Sequence, residues 1–228
     1  EMDANAFGVS WFLLFLHVAA YANTATEAIE MITRGTPEYR SNTGRDSLLR
    51  TGTWNFLISD RTECAIVETS CDRYATRRPG DMGEIGNYLV MTNHNYCNYS
   101  FDEHNERTEL PMTEFGNEST YEGSAIRFWT MMWDIRHNCG KIDRKLAMDF
   151  MQGHHQHDRN GNYIEAPAGE PGLQFGGNVT CPHTGDSPAG WRGGSADSKV
   201  VVHGEDLRIY WTLGCPCEWQ GPWDEIKL

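Results

Sequence analysis

The stretch Tyr88-Leu89-Val90-Met91-Thr92-Asn93-His94 decides how this chain is read. An apolar run stops on three polar residues, Thr92, Asn93 and His94. The run predicts a strand over 86–92, and its polar end admits two readings. Asn is a common turn residue, so a strand closing in a polar turn is one. The other is catalytic: an amide at the end of a buried strand is a rigid hydrogen-bond donor that can be aimed at developing negative charge.

Two further strand patterns precede it, over 53–59 and 63–69, with Arg77-Arg78-Pro79-Gly80 punctuating the connection. Cys64-Ala65-Ile66-Val67-Glu68 is apolar on nearly every residue, which predicts a strand covered on both faces. Upstream, residues 11–22 are apolar almost all round and predict a buried helix. Thr24-Ala25-Thr26-Glu27 fits a capping box that opens a second helix near 25–33, closed by Gly35. Residues 36–52 read as loop.

Downstream, residues 95–120 are acidic and loop-rich. From Gly123 a helical pattern resumes with Ile126, Trp129 and Trp133 on one face, ending at Asn138-Cys139-Gly140. A helix over 142–152 would place Ile142, Leu146 and Phe150 together. Residues 153–195 are rich in Gly, Pro, Asn and His and read as irregular. Strands over 198–202 and 207–212 flank a hairpin turn, His203-Gly204-Glu205-Asp206. The order helix pair, strands, helix pair, strands predicts an α+β layering with mostly antiparallel pairing. With 228 residues, one domain over 1–228 is expected.

The charge balance is 19 − 32 = −13, which argues against nucleic acid and anionic membrane as partners. No window holds the roughly 18 apolar residues of a membrane span. The apolar run from Trp11 lacks the basic flank of a secretion signal, since Glu1, Asp3 and Asn5 precede it. The first residues are Glu1-Met2, which raises the expectation of a processed or longer product.

There are seven cysteines, Cys64, Cys71, Cys97, Cys139, Cys181, Cys215 and Cys217, and three glycosylation sequons at Asn98, Asn117 and Asn178. Together they predict a secreted or lumenal, extracellular glycoprotein in a disulfide-permissive compartment. The odd count implies a free thiol or a bridge to another chain.

His154-His155-Gln156-His157-Asp158 has the residue types of a metal cluster. His154 and His157 would share a face on a helix, which the flanking glycines oppose, and there is no H-E-x-x-H. Asp158-Arg159-Asn160-Gly161-Asn162 has its glycine at the fourth place, so the calcium-loop pattern fails and a polar turn is expected. No metal and no cofactor is assigned. Cys181-Pro182-His183 offers a thiol–imidazole pair, but a disulfide to Cys139, Cys215 or Cys217 is the expected use of Cys181. The nucleophile-elbow, P-loop and dinucleotide signatures are absent.

Taken in order, several pieces resemble one family. They are Asn5-Ala-Phe-Gly8, Ala25-Thr-Glu-Ala-Ile29, Trp54-Asn-Phe-Leu-Ile-Ser-Asp60, Ala65-Ile-Val-Glu68, Thr92-Asn-His94, Ser124-Ala-Ile-Arg127-Phe128, Cys181-Pro-His183, residues 195–201 and Gly214-Cys-Pro-Cys217. The family is the acyl-coenzyme A:6-aminopenicillanic-acid acyltransferases, peptidase family C45, of the N-terminal-nucleophile (Ntn) hydrolases. The resemblance implies a four-layer αββα sandwich and an autoproteolytic precursor that exposes an N-terminal cysteine whose own amine is the base. It implies an oxyanion donor at Asn93, pocket residues Thr92 and His94, and Arg127 or His183 orienting a substrate carboxylate.

None of the seven cysteines stands at the nucleophile's place. The resemblance therefore implies a heterodimer. Its obligate partner is the N-terminal chain of the same precursor, and its substrate is a small-molecule or peptide amide. The competing expectation is a catalytically inactive secreted glycoprotein of the same fold, with a binding or assembly role.

Overall fold

The computed structural model describes residues 8–52, 54–69, 71, 73–80, 88–92, 98–101, 107–110, 122–153, 155–158, 160–163, 197–203, 206–213, 216 and 222–227. For 98–101, 107–110, 122–125, 197–200, 202 and 213 the description is of backbone alone. The chain divides into two compact units, residues 1–112 and 113–228.

The first unit opens with three helices, α1 (Trp11–Tyr21), α2 (Ala25–Arg34) and α3 (Pro37–Thr43). α2 begins where the capping box places it: Thr24 Oγ1 accepts from Glu27 N at 3.1 Å, and Gly35 closes the helix. Its start also takes a bond from outside, since Ala25 N donates to Asp60 Oδ2 at 2.8 Å. α3 lies in the stretch read as loop. It is polar and has no apolar period, but Thr36 caps Tyr39 N, Pro37 sits in the first turn, and Gly44 ends it at φ 66°.

Three antiparallel strands follow in the order β1 (Trp54–Ser59), β2 (Cys64–Thr69), β3 (Tyr74–Arg77). The register sets Phe56 opposite Val67 and Leu57 opposite Ile66. Alternation then turns Phe56, Ile58 and Val67 to one face, where Leu14, Ile32 and Leu48 complete the core with them. Each fully buried side chain there is worth about 1.5–3 kcal/mol. β2 is buried from Ala65 through Thr69, as expected of a strand covered on both faces.

α1 corrects its expectation. Of its residues only Leu14 is buried, while Leu13 is 60% and Tyr21 64% exposed. Apolar character all round does not create a neighbour on every side. The region 88–92 is corrected too: it carries no strand. Two side chains, Asn55 and Arg77, take carbonyls that a ladder would otherwise use. A hairpin of β4 (Asn98–Phe101) and β5 (Arg107–Leu110) lies within the stretch read as loop.

The second unit holds α4 (Glu122–His137), α5 (Arg144–Met151) and the antiparallel sheet β6 (Asp197–His203), β7 (Leu207–Leu213), β8 (Asp224–Lys227). Both helices lie close to their predicted spans. Among the described side chains of α4, Phe128, Thr130 and Met132 are fully buried, with Ile126, Trp129 and Trp133 half-buried. On α5 Phe150 is buried, but Ile142 precedes the helix and is exposed, because Asp143 is the N-cap and accepts from Leu146 N. Among the described residues no helix is long and apolar enough to cross a membrane.

Candidate functional sites: the Thr92 segment and the Asp134–His155–His157 cluster

The first site is built on the sheet face opposite the core. Alternation places Asn55, Glu68 and Arg77 on that face. Arg77 Nε donates to Glu68 Oε1 at 3.1 Å, and both side chains are 1% exposed. The same guanidinium donates from Nη2 to the Val90 carbonyl at 3.0 Å. Asn55 Nδ2 donates to the Thr92 carbonyl at 3.1 Å. Residues 90–92 are thus held by side chains rooted in β1 and β3, with the Arg77 charge balanced by Glu68.

Of the sequence-predicted residues, Thr92 lies at the end of this held segment. Asn93, His94 and His183 lie outside the described residues, as do the sequon residues Asn117 and Asn178; Asn98 begins β4. Arg127 lies in the other unit, half-buried on α4, where burial draws its guanidinium below the ordinary value. Cys64 and Cys139 carry free thiols, and burial pushes the Cys64 thiol up.

The second site lies wholly within the second unit. Past α5, His157 makes an isolated antiparallel bridge with Tyr163. The rings of His155 and His157 come together, with centroids 5.4 Å apart and planes at 80°. His155 Nε2 lies 2.8 and 2.9 Å from the two carboxylate oxygens of Asp134 on α4. That hydrogen bond raises the His155 imidazole above its ordinary value, against the opposing effect of partial burial.

The loop is tied to α4 and to itself. His157 N donates to Thr130 Oγ1 at 2.9 Å, one helical turn before Asp134. Trp133 Nε1 donates to the Asp158 carbonyl at 3.2 Å. The Asp158 carboxylate accepts from Asn160 N, Asn162 N and Asn162 Nδ2, which closes the polar turn expected there and holds its carboxyl below the usual range. Gly161 makes the turn possible. It has φ 82°, and a Cβ there would stand 2.6 Å from the Trp133 ring.

His155 and His157 belong to the histidine cluster visible in the sequence, but through a two-residue rather than a three-residue spacing. His154 lies outside the described residues. Asp134 is the residue that sequence reasoning missed. Its one signal is its place a turn after Thr130 on a helix face that carries Trp133.

No family model, curated protein or solved structure matches the chain.

Proposed function

We propose that this chain is the C-terminal part of an Ntn amidohydrolase or acyltransferase acting on a linear amide. Asn93 donates to the oxyanion of the tetrahedral intermediate, and Thr92 and His94 shape the pocket. The nucleophile and its base come from the N-terminal chain of the same precursor. The observation that carries the reading is the Asn55–Thr92 bond. An oxyanion donor is effective only when its backbone is held before the reaction begins, and this bond anchors the residue immediately before Asn93.

The partner is supported by a second feature. Trp11, Phe12, Leu13, Phe15, Leu16 and Tyr21 form an exposed apolar surface along α1. Trp11 stacks on Trp54 of β1 with centroids 4.6 Å apart. Among the described residues no strand pairs with the outer edge of β1. An apolar helix beside an open strand edge suits a companion segment that adds a strand to the sheet and covers the helix.

The test uses the protein assembled with its nucleophile-bearing chain and a chromogenic linear amide. Asn93→Ala is expected to lower turnover by about 100- to 1000-fold, the loss typical of one oxyanion donor. Asn55 is a positioning residue, so Asn55→Ala is expected to lower kcat with KM held. Unchanged turnover in Asn93→Ala overturns the proposal. So does purified material in which intact mass spectrometry finds no second polypeptide.

A further inference from the structure

We propose that Asp134, His155 and His157 form a binding site for one zinc-class divalent cation. The site is independent of the amide chemistry proposed above. One ligand atom from each of the three residues lies within 4.8 Å of the other two. Donors bound to one tetrahedral zinc at 2.0–2.1 Å stand roughly 3.3 Å apart. Small side-chain rotations therefore close the set on an ion. The 2.8 Å contact between Asp134 and His155 has only to open by about half an ångström, with the cation taking the place of the shared proton.

Three observations distinguish this set from an ordinary aspartate–histidine pair. The first is His157 Nδ1, which is buried and has no hydrogen-bond partner among the described residues. Leaving a buried ring nitrogen unpaired costs about 1–3 kcal/mol, and a cation supplies what is missing. The second is the bracing of the ligands by groups outside the set. Thr130 holds the His157 backbone, and Trp133 holds the Asp158 carbonyl. The Asp158 carboxylate is occupied by its own turn, so it braces the loop without competing for the ion. Supporting bonds of this kind orient metal ligands and are part of their affinity.

The third observation is the donor chemistry. Two imidazoles and one carboxylate suit zinc and the neighbouring late first-row ions. Calcium and magnesium require oxygen sets with more ligands. Three protein ligands leave a fourth position open for water or an anionic ligand, the arrangement of zinc sites that do chemistry. Tyr163, whose ring stands edge-on to His157 with centroids 6.1 Å apart, flanks that ligand.

The experiment is a titration of the chelator-stripped full chain with Zn2+ by calorimetry. Co2+ serves as a spectroscopic probe and Mg2+ as the hard-cation control. One equivalent of Zn2+ is expected to bind, Co2+ to give the visible bands of a tetrahedral N/O site, and Mg2+ to leave the baseline unchanged. His157→Ala and Asp134→Asn are each expected to weaken Zn2+ binding at least about 100-fold. His203→Ala, on β6 and outside the set, is expected to leave it unchanged. Asp134→Asn retains a hydrogen-bonding group beside His155, so it keeps the test valid if His157→Ala fails to fold. Two results overturn the proposal: no saturable Zn2+ binding, or binding that survives both substitutions.

Discussion

The Arg50 side chain and the Nδ1 atom of half-buried His157 are both shielded from water, and they are treated in opposite ways. Arg50 is 1% exposed. Its guanidinium donates to the carbonyls of Ile32 and Thr33 at the end of α2, and to that of Arg73 before β3. Its backbone N–H donates to Cys71. A helix terminus leaves carbonyls without intrahelical partners and carries partial negative charge, so a cation there closes the helix and ties it to the sheet. His157 instead has a buried ring nitrogen with no partner among the described residues. A buried polar group bonded to backbone builds the fold. A group held in place by its neighbours but left unpaired is ready for something that is not part of the chain.

The largest effect is expected from breaking the first half of that comparison. Arg50→Ala strands buried carbonyls and is expected to destabilise the first unit by about 3–5 kcal/mol, measured as a lower urea midpoint. A loss under about 1 kcal/mol would show that water replaces the guanidinium. Next in size is Gly161→Ala, which forces a side chain into a positive-φ turn and against the Trp133 ring. It is expected to cost about 1–3 kcal/mol and to disturb the His157 loop, read by tryptophan fluorescence.

The other half of the comparison is sharpened by metal. Zn2+ at 100 times its Kd is expected to stabilise the wild-type protein by about 2.7 kcal/mol, and His157→Ala to remove that increment. Without metal, His157→Ala is expected to be neutral or mildly stabilising, because it removes an unpaired buried nitrogen. Arg50→Ala is the opposite case.

The smallest effect is expected from Asp60. Its carboxylate accepts from Ala25 N, then from Thr62 and Glu63, and these bonds hold its carboxyl well below the usual range. A depressed folded pKa contributes stability that is present above the unfolded value near 3.9 and is lost as the pH falls towards the folded one. Acid unfolding followed by circular dichroism between about pH 4 and pH 2 is expected to lose part of its slope in Asp60→Asn. An unchanged slope would move the acid-sensitive group elsewhere.

The sequence was legible where local chemistry settles local structure. Thr24, Glu27 and Gly35 mark α2 because capping acts within one turn. β2 is readable from its unbroken apolar run, and the turn after Asp158 from its Asn and Gly residues. It was misleading where burial depends on distant neighbours. α1 and α2 show the contrast: the more apolar helix is the more exposed, because burial needs a surface to pack on and α2 alone presents a single face to the sheet. The run 88–92 looks like a strand, yet Asn55 and Arg77 bind its carbonyls from residues more than ten positions away.

The sequence by itself determined the capped start of α2, the β6–β7 hairpin and the histidine cluster, because periodicity, capping and turn residues act over a few neighbours. Only the tertiary structure decided that Asp134, 21 residues before His155, completes that cluster. It also decided that Thr92 is held from β1 and that Arg50 closes α2. These are meetings of groups far apart along the chain. They follow from how helices and strands pack, and no local pattern encodes them.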